Sequence, residues 1–457
     1  MREFLLLAIT VCLSFAAIAK PQFGVMAYIW FSLMRPDVIA FSQGLYPYSL
    51  MLAIGMIVGS WREVGQFRTA WFANPISWMM LLLQIPILIS TQTSISPSYS
   101  LDMYFPFLKM SIAVLWIPVL VYTVAQMRIL FLVTALSLGA HAIWQSLGGI
   151  LGGGRAIQHG IGGFMSDNNT FAAGLVMVFP FCWYARYLVQ QVWLKMALTA
   201  MSVACLFVIM LTHSRGAALA AVAVLIMLLI HSKRRMLVFV FLLFASLPGL
   251  YLVRETYFDR LGTIENYEDD HSAMSRIVHN KVAVQVWLAH PLTGVGIGEE
   301  NYFTASTPYL ESMGAEDIIG LVVHNSYLQM LVHAGIFAAL IHLFLFVGVT
   351  WMMWRSSRRL AVSHPGLEYY PRAIELSIIG YLVASLTQPR ATFDFAYTVA
   401  MYAAAWYVIE KRLPAPSLAS APAPAQNIAP PPPAPVPVEA SHAGHTRMLG
   451  RLGQRLK

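Results

Sequence analysis

Apolar and polar positions alternate along this chain on the scale of whole segments, not of single helical turns or strands. Long apolar runs separated by short polar connections recur from the first residues to about residue 410. A helix needs roughly 20 apolar residues to cross a hydrocarbon core of about 30 Å, and its backbone polar groups must then pair internally. The pattern predicts apolar spans at 4–19, 22–34, 46–60, 73–90, 103–125, 128–149, 170–189, 193–212, 215–231, 235–253, 324–351, 373–388 and 394–410. The second is short enough to be half of a broken or re-entrant element with the first. The expected fold is therefore an all-α polytopic membrane protein with about 12 transmembrane helices, or 13 if the second run crosses alone, and the side of the N-terminus stays open.

Lys and Arg fall in every second connection: Arg62 and Arg68, Arg128, Arg186 and Lys195, Lys233 to Arg235, Arg355 with Arg358 and Arg359, then Lys411 and Arg412. By the positive-inside rule these connections are cytoplasmic, and the C-terminus with them. Segments 91–102, 150–169, 212–216, 254–323 and 389–393 then face the periplasm from a bacterial inner membrane. Roughly half of the 21 acidic residues lie in 254–323, among them Glu265, Glu268, Asp269, Asp270, Glu299, Glu300, Glu316 and Asp317. Within it Ser275–Ala289 reads as a helix with an irregular apolar stripe of Ile277, Val278, Val282, Val286 and Trp287, ended by Pro291. The chain thus divides into an N-terminal transmembrane bundle (1–253), a periplasmic loop with an amphipathic helix (254–323), C-terminal transmembrane helices (324–412) and a Pro/Ala-rich cytoplasmic tail (413–457). The tail's composition cannot bury a core and predicts disorder.

Composition makes lipid the solvent: 58% of residues are hydrophobic and 11% charged, against roughly 25% charged in soluble domains. A net charge of +8 would suit a nucleic-acid partner, but the basic residues sit in the short connections and report topology, so membrane lipids are expected as partners and nucleic acid is not. Cys12, Cys182 and Cys205 lie inside apolar runs and offer neither a disulfide framework nor a zinc cluster. The first twenty residues imitate a cleavable secretory signal, but further spans follow at once and a retained first helix is expected.

The rule that fills the cytoplasmic side with Lys and Arg makes an outer arginine informative. Those on the outer side are Arg155, Arg215, Arg254, Arg260, Arg276 and Arg390, with Lys281. Arg215 lies in Leu211-Thr212-His213-Ser214-Arg215-Gly216-Ala217, a connection of a few residues, so its guanidinium sits at the membrane surface or in a pocket. Its planar fork suits a phosphate; the alternative is a helix-end arginine bonding carbonyls or headgroups. Arg276 starts the outer helix, where the helix dipole disfavours a cation and an anion would be a partner; the alternative is a solvated cation near Glu268, Asp269 and Asp270. Arg155 follows Gly152-Gly153-Gly154 and precedes the Gly162-Gly163-Phe164-Met165-Ser166-Asp167 loop, whose backbone amides suit a phosphate, although a mobile hairpin explains the glycines as well.

His324 opens a span as Val323-His324-Asn325-Ser326-Tyr327-Leu328. The positive end of a helix keeps an imidazole neutral, the form a general base requires, whereas a lone boundary histidine is more often a hydrogen-bonded interfacial residue. His141, His333 and His342 receive that plainer reading. Pro291-Leu292-Thr293-Gly294-Val295-Gly296-Ile297-Gly298 lacks the strand and helix of a dinucleotide fingerprint and reads as a tight turn. Glu268-Asp269-Asp270 has no further ligand at metal spacing, so no metal and no cofactor are expected. Lys109 either snorkels outward or points into a polar cavity. No Gly- or Pro-broken pair of spans suggests the repeats of a transporter, and a scaffold role leaves the outer arginines unexplained.

Four segments in order resemble the O-antigen ligase and Wzy polymerase superfamily: Ser214-Arg215-Gly216-Ala217, Ser275-Arg276 running to Trp287, Pro291-Leu292-Thr293-Gly294-Val295-Gly296, and His324-Asn325-Ser326-Tyr327-Leu328. The resemblance is strongest from about 165 to 345, and the first part is similar to the N-terminal region of ligases associated with exosortase systems. It implies a metal-independent glycosyltransferase of the membrane-embedded GT-C type that moves a glycan from undecaprenyl diphosphate to a periplasmic acceptor. That acceptor is lipid A core, a protein hydroxyl in an O-oligosaccharyltransferase, or another lipid-linked glycan in a polymerase. The residues agree with it: Arg215, Arg276 and Arg155 for the diphosphate, His324 for the acceptor hydroxyl, with Asn325, Tyr327 and Asp167 as candidate substrate contacts.

The alternation of basic connections has a direct test. Cysteines placed at Glu268 and Ser357 should react with an impermeant reagent from opposite sides of the inner membrane, and labelling of both in intact spheroplasts would overturn the sidedness.

Overall fold

In the computed structural model, which describes residues 1–232, 235, 236, 240 and 271–414, every predicted apolar run within those residues is helical. The predicted 235–253 span and the residues before His271 that follow it lie outside the described residues, as does the tail from residue 415. The main helices are α1 (Arg2–Ala19), α2 (Pro21–Met34), α3 (Tyr48–Gly59), α4 (Pro75–Gln92), α5 (Pro97–Leu115), α6 (Val124–Leu151), α7 (Asn168–Leu188), α8 (Val192–Leu211), α9 (Arg215–His231), α10 (His271–Ala289), α11 (Glu299–Ser312), α12 (Ser326–Ser363), α13 (Tyr369–Ala384) and α14 (Asp394–Glu410). A two-stranded antiparallel hairpin, β1 (His159–Gly162) and β2 (Met165–Asp167), precedes α7. Among the described residues seven helices are long and apolar enough to cross a membrane: α1, α4, α5 with its continuation to Leu120, α6, α7, α8 and α12. α9 is apolar but shorter.

Polar residues set where these helices begin. Asn74 accepts from Ile76 N ahead of Pro75, Thr123 and Gln126 form a reciprocal capping box, and Asp167, Ser214 and Asn325 cap α7, α9 and α12. Each satisfies amides that have no partner inside the helix. α7 is buried on all sides from Thr170 to Ala185, as expected of a helix apolar all round. It packs on α6, α8 and α13, and with α14, buried from Phe395 to Trp406, it forms the centre of the bundle. Lys109 is exposed on α5, which matches the outward reading.

Segment 271–323 has its own small core. Val282, Ala283 and Val286 of α10 pack with Tyr302 and Leu310 of α11 and with Val332 of α12. The buried face of α10 is thus His279, Val282, Ala283 and Val286, spaced by three and four residues, while Ile277 from the predicted stripe is exposed.

α12 departs from prediction twice. Its 38 residues extend to roughly 57 Å at 1.5 Å per residue, so Arg355, Arg358 and Arg359 lie on its last turns and not in a connection. Ser357 is buried there, and Val362, 85% exposed, reports that end better. The helix is also broken, inside the single run predicted at 324–351: Gly335 has φ 75° and ψ −178°. The turn that follows α10 fills the break. Val295 N donates to Val332 O at 2.8 Å, Gly296 N to His333 O at 3.1 Å and Ile336 N to Pro291 O at 3.0 Å, while Ser90 Oγ of α4 donates to His333 O at 2.5 Å. A Cβ at Gly335 would lie 2.0 Å from Leu292 O, and one at Gly294, φ +68°, 2.4 Å from Val332 O. Glycine is required at both positions for backbone conformation and for space.

Gly335→Ala should therefore cost at least about 2 kcal/mol, from left-handed strain and the forced separation of the turn. Gly348→Ala, in the same helix with open space around it, should be neutral or gain about 0.5–1 kcal/mol. Thermal melting of the purified proteins compares them, and equal melting points would remove the break from the fold's essential features.

Candidate functional site

The connections predicted to share one face do meet. Ile157 N donates to Leu211 O at 3.0 Å and Asn168 Nδ2 to Thr212 O at 3.0 Å, which ties the glycine-rich loop carrying Arg155 to the start of α9. His213, at φ 53°, reverses the chain between α8 and α9. Gly216 is pressed on Thr387, whose Oγ1 would stand 1.9 Å from an added Cβ. Arg390 ties the far side: its Nη2 donates to Asp167 Oδ2 at 2.5 Å and its backbone N to Ser326 Oγ at 3.0 Å. Ser326 begins the helix that His324 precedes. Ile95 N to Val295 O at 3.1 Å and Ser96 N to Asn301 Oδ1 at 2.9 Å bring the 91–102 connection to the same face.

The arginines occupy positions different in kind. Arg215 is the first residue of α9 and is exposed at the helix's N-terminus, where the dipole and the guanidinium both favour an anion. Arg276 does not start its helix as predicted. α10 begins at His271, which puts Arg276 in the second turn, half-buried and near enough for its charge to act on His324. Arg155 is exposed at the end of the glycine run.

His324 is half-buried ahead of the α12 cap. Burial, followed by the positive charge of Arg276 and the proximity of His279, pushes its pKa down to about 4, so the ring is neutral at ordinary pH. The sequence argument reached neutrality through the helix dipole; desolvation and Arg276 are the causes here. His279, which the sequence reading passed over, is buried between Tyr302 OH and Ile318 O, each 3.0 Å from a ring nitrogen, and burial lowers its pKa as well.

The three candidate substrate contacts make protein contacts. Asp167 caps α7 through Asn169 N and Thr170 N and pairs with Arg390. Burial raises its pKa, but the Thr170 bonds and the Arg390 charge outweigh that and hold it below the ordinary value. Asn325 Oδ1 accepts from Tyr327 N and Leu328 N, and Tyr327 OH donates to Leu382 O at 2.7 Å. His141 and His342 bond to Met34 O and Tyr397 OH, each at 2.8 Å. His333 is different: it lines a cavity with Glu299, Gln329 and Arg390. Only the glycine turn before Glu299 marked this cavity in the sequence. Among the described residues no three His, Cys, Asp or Glu side chains gather as a metal site would need.

Because Arg276 depresses the basicity of His324, the rate at which diethyl pyrocarbonate modifies His324, followed by mass spectrometry, should stay level as pH falls and reach half its plateau near about 4. Arg276→Gln should move that midpoint upward, toward the ordinary value of about 6.5. An unchanged midpoint would remove Arg276 from the surroundings of His324.

No curated protein matches the chain. Residues 1–187 match a family of unknown function (DUF5935), and residues 200–343, which hold α9 with Arg215, α10 with Arg276, the glycine turn and His324, match the O-antigen ligase family. The chain thus has a segment, 200–343, similar to the O-antigen ligase family, behind an N-terminal region similar to that second family.

Proposed function

We propose that this protein transfers a glycan from undecaprenyl diphosphate to a hydroxyl acceptor such as the lipid A core, at the outer face of the bacterial inner membrane. The observation that carries the reading is a neutral imidazole, His324, ahead of the α12 cap and within reach of the charge of Arg276, in the cluster of connections that also holds Arg215. In the reaction the acceptor oxygen attacks the anomeric carbon, the bond from that carbon to the diphosphate oxygen breaks, and the acceptor proton passes to His324. Undecaprenyl diphosphate leaves as an anion. Arg215 at the start of α9, Arg276 and Arg155 bind its oxygens, since fixed cations aimed at developing charge are worth more in a dry site than in water. The chemistry needs no metal ion, and transfer is expected to continue with EDTA present.

The shorter apolar helix α9, with the short helices α2, α3, α13 and α14 and the seven long ones, completes a bundle of about 12 spans, and 254–323 lies in the periplasm. The extended α10 and α11 beside His324 favour a ligase over a polymerase, because they give an acceptor other than a second lipid-linked glycan something to bind.

The roles of His324 and Arg276 are separable. His324→Ala should cut transfer by roughly 10²–10⁴-fold while the purified protein still binds undecaprenyl diphosphate as wild type does, and Arg276→Ala should weaken that binding. A loss of lipid binding in His324→Ala as large as in Arg276→Ala would move His324 to the diphosphate and sink its role as base.

A further inference from the structure

Beside the arginine-bearing face lies a cavity of about 260 Å³ between α5, the start of α11, α12 and the 389–393 connection. Two ionisable side chains meet in it without completing each other. Glu299 Oε2 and His333 Nε2 stand 3.8 Å apart, and neither atom has a hydrogen-bond partner among the described residues. His333 is only 6% exposed. The other carboxylate oxygen of Glu299 accepts from Gln329 Nε2 at 2.8 Å, and Gln329 Oε1 accepts from Ala391 N at 2.8 Å. Backbone that only glycine adopts readily holds this arrangement: Gly298 has φ +107°, and a Cβ there would lie 2.4 Å from the Tyr99 ring. Buried polar atoms are normally paired in folded proteins, so three orphans on the residues that line one cavity, Glu299 Oε2, His333 Nε2 and Arg390 Nε, mark a place that a ligand completes.

The surroundings narrow the ligand's chemistry. Arg390, the cation on the wall, gives one nitrogen to Asp167 and keeps a buried Nε without a hydrogen-bond partner among the described residues, a donor for a ligand oxygen; one guanidinium against the carboxylates of Asp167 and Glu299 leaves the wall no excess positive charge for a phosphate. Tyr99, Phe164 and Phe393 supply aromatic walls. The volume falls just below the roughly 300 Å³ at which small-ligand pockets begin, enough for one ring and too little for an oligosaccharide. An uncharged ring with several hydroxyls fits: hydroxyls donate to Glu299 and exchange hydrogen bonds with His333 and Gln329, while the C–H face lies on the aromatic walls. We infer that this cavity is a sugar subsite in which Glu299, His333 and Gln329 hold a single neutral pyranose of a glycan substrate. The inference rests on the glycan-transfer reading. The ring belongs either to the donor, next to its diphosphate, or to the acceptor.

The full-length protein in nanodiscs distinguishes these sources with two probes, undecaprenyl diphosphate and undecaprenyl diphosphate N-acetylglucosamine. Glu299→Gln removes the charge, and Thr392→Trp fills the cavity from its wall while leaving the polar group intact. If the ring is the donor's, both variants should bind the sugar-bearing lipid about tenfold or more weaker and the bare lipid within about twofold of wild type. If it is the acceptor's, both lipids should bind as in wild type and the KM for lipid A core oligosaccharide should rise by about tenfold or more. Equal weakening of both lipids, or no affinity and no KM moved beyond about twofold in either variant, overturns the subsite. Failure of the transfer reading itself would show in the wild-type protein, as binding of neither lipid, and would take this inference with it.

Discussion

A helix interrupted inside a membrane leaves carbonyls unanswered, and the arginine-bearing face of this protein depends on how those of Val332 and His333 are satisfied. Lipid offers no donors, and an unpaired backbone group there costs several kcal/mol. The amides of Val295 and Gly296 and the hydroxyl of Ser90 fill that need. Because they do, the turn after α10 is seated in the break of α12 and not free on the surface. Glu299 follows it by a few residues at the start of α11, and Asn301 then bonds to Ser96 N and Ser100 Oγ. The 271–323 segment is thus attached to the bundle through backbone bonds that must form wherever α12 breaks, and the positions of His333, Glu299 and Gln329 follow from that attachment.

The sequence discloses what depends on long apolar runs and on the distribution of charge. Each described run became a helix, polar caps such as Asn74 and Asn325 stand where helices begin, and segments on one side of the basic connections meet on one face. What it hides depends on single residues inside those runs. Gly335 in His333-Ala334-Gly335-Ile336-Phe337 looks like the small residues that membrane helices use for packing, and only the arrival of Leu292 and Thr293 against it shows why no Cβ fits. Glu299 and His333 are separated by more than thirty residues, and neither carries a local signal of the other. Helix length also misled: α12 continues through Arg355 and Arg359 with Met353, Ser356, Ser357 and Leu360 buried along it, so a basic cluster read as a connection is the end of a helix. Arg276 was placed one turn too early because residues before Ser275 look polar enough to lie outside a helix.

The charges at the face have a further logic. Arg276 acts on two things at once: it offers a cation to an anionic ligand and, by the same field, it makes His324 a weaker base. Taken alone the second effect is a disadvantage, since a base with a pKa near 4 has little affinity for a proton. On the proposed reaction the two effects are linked. A diphosphate bound at Arg276 cancels the field that depresses His324, and the imidazole regains basicity when the donor is in place. With no donor bound, the ring stays neutral and does not hold a proton that would block attack. The desolvation that contributes first to the shift remains in both states, so the regained basicity is partial, and the base stays neutral and ready over the whole ordinary pH range. On that proposal, an arginine whose charge costs the histidine proton affinity in the free protein gives a site in which the acceptor hydroxyl is activated most strongly once the leaving group is bound.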